Sequence, residues 1–141
     1  MNGEARMDTG HPHSRSIAVA SALFLINGVA WGLGTIPYAL YIHRLGELPT
    51  TVGGIESMSG PISRRFGHDA VVWLLVPLAF ASWLEVLAGY WLRKSRKEGG
   101  WLAIFLLPIT MFFWIGFVMP IWLVLGPLIV LLVLAGWKSL R

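Results

Sequence analysis

The 141-residue chain contains no cysteine. Disulfides, thiolate nucleophiles, c-type haem attachment, cysteine-ligated iron–sulfur clusters and thiol redox relays are therefore excluded together. Disulfide use also gives no clue to the compartment. Charge is scarce as well. Asp, Glu, Lys and Arg make up 13% of the residues, where soluble domains carry about a quarter. No Ser-His-Asp set, metal-ligand spacing, di-acidic pair or nucleotide fingerprint is present. His11 and His13 form a His-x-His, but two imidazoles without further fixed ligands do not make a metal site. The glycine-rich stretch at residues 53–60 lacks the Gly-Lys-Ser/Thr ending and the preceding strand of a phosphate loop. No catalytic residue, metal or cofactor is assigned on these grounds.

Apolar residues are abundant, at 56%. A water-soluble domain of this length cannot hide that much apolar surface, so lipid must solvate part of it. The net charge of +4 is carried largely by residues flanking apolar runs rather than by a basic stripe. That is the orientation signal of membrane proteins, and it argues against nucleic acid as a partner.

Residues 17–42 carry no ionisable group before His43, and residues 70–92 carry only Glu85. From Trp101 the next charge is Lys138. As one helix that run would reach roughly 55 Å, well beyond a hydrocarbon core of about 30 Å, so it must fold back. Gly116 to Pro120 is the best turn, since Gly frees the backbone and Pro disfavours helix in the residue before it. The expected fold is all-α: an integral membrane four-helix bundle with helices at about 17–42, 70–92, 101–118 and 120–138. Residues 1–15 are expected to be a disordered cytoplasmic tail, and residues 16–141 one transmembrane domain. The first apolar run is too long for a signal-peptide core and reads as a retained helix, tilted or kinked near Pro37.

Arg6, Arg15, Arg93, Lys94, Arg96, Lys97, Lys138 and Arg141 fall on one side of this topology. Arg44, Arg64 and Arg65 fall on the other, offset by Glu47, Glu56 and Asp69. The positive-inside rule then puts both termini in the cytoplasm and the loop at residues 43–69 outside. Trp91, Trp101 and Trp137 fall at the inner headgroup level, and Trp73, Trp114 and Trp122 near the outer one, as aromatic belts would. The expected location is the plasma (cytoplasmic) membrane of a prokaryote.

Glu85 is the most informative residue, about seven positions and roughly 10 Å from the inner end of its helix. A carboxyl group at that depth faces the bundle interior and finds a partner, or takes up a proton. Counting depth along the helices brings Asn27, Ser82 and Thr110 to within about one turn of the same level. Pro108 and the Gly126–Pro127 pair lie there too, and each proline frees a carbonyl. Asn27, Trp31, Gly34, Tyr38 and Tyr41 form a stripe at helical spacing, either packing or the wall of a pocket. Gly28 and Gly32 form a small-xxx-small pair for close helix approach. Outside, Arg64, Arg65, His68 and Asp69 cluster just before the second helix. They serve either as interfacial anchors, the favoured reading, or as an anion site at a helix N-terminus.

The segment Leu84-Glu85-Val86-Leu87-Ala88-Gly89-Tyr90-Trp91-Leu92, the basic turn after it and the apolar residues 101–113 resemble the middle of DoxX-like proteins. The resemblance implies a small four-helix membrane protein and, as in some members, association with quinone-linked oxidoreductase complexes.

Three functions compete: a non-enzymatic accessory subunit of a membrane complex, a binder of a lipid- or quinone-like molecule between Trp31, Tyr38 and Glu85, and an intramembrane enzyme using Glu85 as acid or base. The accessory reading leads, because no self-contained catalytic set is present. Membrane lipid and another membrane subunit are the expected partners. Glu85→Gln separates the readings. A structural role predicts lost assembly or stability, whereas the other two predict a folded protein without ligand or turnover.

Overall fold

A computed structural model describes residues 14–50, 58–118 and 120–141. His11, His13, most of the expected tail and the glycine-rich stretch from Gly53 to Ser57 lie outside the described residues, as does the side chain of Trp122. Among these residues four α-helices follow in order: α1 Arg15–Leu45, α2 Pro61–Arg93, α3 Lys97–Gly116 and α4 Pro120–Ala135. A 3-10 turn, Trp137–Ser139, follows α4. No β-strand occurs among the described residues.

The helices run up and down in sequence. α2 packs on α1 and α3, and α4 closes the ring against α3 and α1. α1, α2 and α3 are each long and apolar enough to cross a membrane. α4 has 16 residues, about 24 Å, and is shorter than a hydrocarbon core. Each of the four helices contains an internal proline: Pro37, Pro77, Pro108 and Pro127.

The fold-back between Gly116 and Pro120 falls where the length argument puts it. The loop before α2 does not match its expected extent. α1 runs on to Leu45, where Gly46 takes a left-handed conformation (φ 68°) and donates its N–H to the Ile42 carbonyl at 2.8 Å. α2 begins at Pro61, with proline in the first turn, where its missing N–H costs nothing. The connection is therefore much shorter than residues 43–69. Polar residues hid this early part of α2, because an apolar run cannot register them. Gly67, at φ 79° and ψ 178°, breaks the helix at the point where the apolar part begins.

Two apolar clusters occupy the two ends. At the end bearing the α2–α3 turn, Ile17, Ala20, Phe24, Leu92, Ala103, Ile129, Val133 and Leu140 pack together. At the other end Ile42, Leu48, Met58, Val71, Leu75, Leu78, Phe113 and Phe117 do so. The chain's last residue ties down the first of these ends, with Arg141 N–H donating to Ser95 O (2.7 Å) and Lys97 N–H to Arg141 O (2.9 Å). Polar side chains lie between the clusters.

Candidate functional site

α1 and α2 touch along one line of small and polar residues. Ser21 Oγ donates to the Gly89 carbonyl at 2.8 Å, and Asn27 Nδ2 donates to Glu85 Oε2 at 2.5 Å. Between these bonds and the next turn the backbones come very close. A Cβ added at Gly28 would lie 2.5 Å from the Ser82 carbonyl oxygen and 2.8 Å from Val86 N. Only glycine fits there. Gly32, one turn on, faces the Trp83 ring. The small-xxx-small pair thus points at α2, as its spacing predicts.

Asn27, Ser82, Glu85 and Thr110 are all buried, with exposures of 3 to 4%. They do not form one network. Ser82 Oγ donates to its own helix at Leu78 O (2.9 Å). Thr110 Oγ1 does likewise to Leu106 O (3.0 Å) and Leu107 O (3.1 Å). Such back-bonding satisfies a hydroxyl without reference to any neighbour. Of the four, only Asn27 and Glu85 bond each other across a helix boundary. The other amide atom, Asn27 Oδ1, is buried with no hydrogen-bond partner among the described residues.

The cavity beside this pair is lined from all four helices, by Phe24, Asn27, Glu85, Leu106, Thr110, Trp114, Gly126 and their neighbours. It measures about 10 Å³, room for about one water molecule. Trp114 fills much of the space that a ligand would need. It is 4% exposed, and its ring lies where a Cβ at Gly126 would be.

Trp31 and Tyr38 are not in this cavity. Both pack against the apolar cluster at the other end. Tyr38 is eleven residues past Asn27, about 16 Å along α1, too far to share a ligand the size of a headgroup with Glu85. Neither Trp31 nor Tyr38 is among the residues that line the cavity at Glu85. Trp114 also departs from its expected belt position, because the nearby Gly126 admits its ring to the interior. Gly126, expected at the level of Glu85, lines the cavity with it, whereas Phe24 and Trp114 were missed as neighbours. Phe24 is one turn from Asn27, and that spacing was the available signal.

Trp101 and Trp137 meet edge to face at 5.3 Å beside the α2–α3 turn, and Trp73, toward the other end of α2, is 77% exposed.

Arg64, Arg65, His68 and Asp69 are exposed. They flank Gly67, whose non-helical conformation separates the early turns of α2 from its apolar part. The Arg65 guanidinium sits 5.8 Å from the Phe66 ring centroid, and His68 Nδ1 is 2.6 Å from Gly46 O. The histidine contact pins the end of α1 to the break in α2.

Among the described residues no group of three or more His, Cys, Asp or Glu is placed to hold a metal ion. No protein-family model matches the chain, nor does any curated protein or solved structure.

Proposed function

We propose that this chain is an integral membrane protein acting as a non-enzymatic accessory subunit of a membrane complex, with Asn27 and Glu85 fastening α1 to α2. Support for insertion comes from three long apolar helices and from large apolar side chains left facing outward, among them Ile26, Leu33, Phe80, Phe105 and Leu131. The up-and-down packing brings Arg15, Arg93, Lys94, Arg96, Lys97, Lys138 and Arg141 to one end of the bundle, and Arg44, Arg64 and Arg65 to the other. By the positive-inside rule the first end is cytoplasmic, which puts the α2–α3 turn and both termini inside. The location proposed is the plasma membrane of a prokaryote.

One observation carries the non-enzymatic reading: the space at Glu85 is about 10 Å³. Pockets for small molecules run to roughly 300 Å³ or more. A space that small supports the reading in which Glu85 serves the bond to Asn27 rather than a quinone, a lipid or a substrate. The DoxX-like resemblance of residues 84–113 belongs to this proposal and suggests a redox complex as the assembly.

Purification from native membranes in mild detergent, with mass spectrometry of everything retained, tests it. A stoichiometric protein partner that strong detergent strips away is the expected result. A chain that arrives alone, carrying a quinone released by Glu85→Gln, would overturn the proposal in favour of a carrier.

A further inference from the structure

A second cavity lies on the α1–α2 pair, at the end rich in Lys and Arg. It measures about 420 Å³ and is lined by Ile17, Ala18, Ser21, Ala22, Leu25, Leu92 and Arg93. Its origin is local. Ala18, Ser21, Ala22 and Leu25 follow a spacing of three and four on α1, so they share one face. Three of the four are small, so a groove is left beside the last turn of α2. Ala18 and Ala22 are exposed, which makes the groove open to the side of the bundle.

The groove is apolar along its length and cationic at one mouth. Ser21, the polar residue in its wall, is already bonded to the Gly89 carbonyl. The cations near the mouth differ in how they are engaged. Lys94 Nζ sits 4.6 Å from the Tyr90 ring centroid. The Arg96 guanidinium lies 5.7 Å from the Trp91 ring centroid and 3.2 Å from the Glu98 carboxylate. The Arg93 side chain, exposed at the end of the groove, has no ion pair or ring contact among the described residues.

We propose that this groove holds an acyl chain of an anionic phospholipid, with the lipid phosphate on the Arg93 guanidinium. The inference rests on the membrane reading above, and it goes beyond that reading by naming a lipid class and the residue that selects it. An apolar trough ending in an unengaged guanidinium matches a hydrocarbon tail ending in an anionic head. Guanidinium groups pair phosphate in a bidentate fork, so the selection falls on Arg93 more than on a lysine nearby. The volume lies in the range of sites that take small ligands.

Alkaline carbonate extraction of native membranes comes first. A chain released by carbonate fails the membrane reading, and this inference falls with it. A retained chain is then purified in detergent, incubated with equimolar phosphatidylglycerol and phosphatidylcholine, and examined by native mass spectrometry. Both lipids carry the phosphate, but the choline ammonium repels the guanidinium, so the wild type is expected to retain phosphatidylglycerol in preference to phosphatidylcholine by about tenfold, the scale of one charge–charge contact near a protein surface. Arg93→Gln abolishes that preference, while Lys97→Gln, in the same turn, leaves it. Ala22→Leu fills the groove from its exposed side and lowers retention of both lipids. Circular dichroism and a monodisperse elution peak establish that each variant is folded. Equal retention of the two lipids by the wild type would overturn the proposal. So would a preference that survives Arg93→Gln, or one that Lys97→Gln removes to the same extent.

Discussion

The cavity beside Glu85 holds about 10 Å³ and is walled by all four helices, whereas the groove at the basic end holds about 420 Å³ and opens across Ala18 and Ala22. The first contains a carboxyl group and an amide bonded to each other. The second is apolar and has its charge only at the mouth. Inside the bundle, where no water competes, a polar group is satisfied by another polar group, and the pair excludes other company. In the proposed membrane setting a guanidinium at the rim stays within reach of headgroups, and nothing in the fold has to neutralise it. Under the lipid proposal the ligand sits at the rim groove and not beside the buried Glu85, and the contrast in volume between the two cavities supports that placement.

That contrast breaks first at Gly28. Gly28→Leu drives a side chain into the Ser82 carbonyl and Val86 backbone. It should separate α1 from α2 and cost about 3 kcal/mol, the upper range of overpacking. Unfolding by dodecyl sulfate in mixed micelles, followed by circular dichroism, measures it.

Glu85→Leu comes next. It leaves the Asn27 amide with neither donor nor acceptor satisfied, for a loss of about 1–2 kcal/mol in the same assay. Thr110→Val and Ser82→Ala sharpen the contrast within the polar layer. Their hydroxyls bond only their own helices, and each substitution should shift stability by less than about 0.5 kcal/mol. Either one matching Glu85→Leu would mean that the layer acts as a single network.

Glu85→Gln should have the smallest effect, and here the geometry reverses the expectation drawn from sequence. A glutamine at 85 can still accept from Asn27 Nδ2, and its own amide N–H can reach toward Asn27 Oδ1, which is otherwise unpaired. A structural Glu85 therefore tolerates Gln, with stability within about 0.5 kcal/mol of wild type. A loss as large as that of Glu85→Leu would show that the carboxyl group itself is required.

Much of the helix layout was legible because uncharged runs of this length are the mark of helices long enough to span a bilayer. The fold-back at Gly116 to Pro120 was legible for a negative reason: one helix of that length overshoots a bilayer. The level shared by Asn27, Ser82, Glu85 and Thr110 followed from counting residues at a fixed rise. Which of them bond one another did not follow, because hydroxyls can turn back on their own helix and depth says nothing of that choice. Trp31 and Tyr38 share a helical stripe with Asn27, but a stripe gives direction and not distance from the site. Trp114 sits near the end of an apolar run, where a belt residue belongs. Its burial depends on the nearby Gly126, a contact between helices that no single-helix pattern encodes. The early turns of α2 escaped notice because an apolar run stops at charged residues, and helices do not.

The central claim is that Asn27 and Glu85 act on stability as a pair. A double-mutant cycle with Asn27→Leu, Glu85→Leu and the two combined measures that coupling directly, in the same micelle unfolding assay. The double variant is expected to be more stable than the sum of the single losses implies, with a coupling of about 1 kcal/mol, because removing both partners strands neither. Losses that simply add would contradict the claim, and would mean that Glu85 is held in the bundle for something other than Asn27.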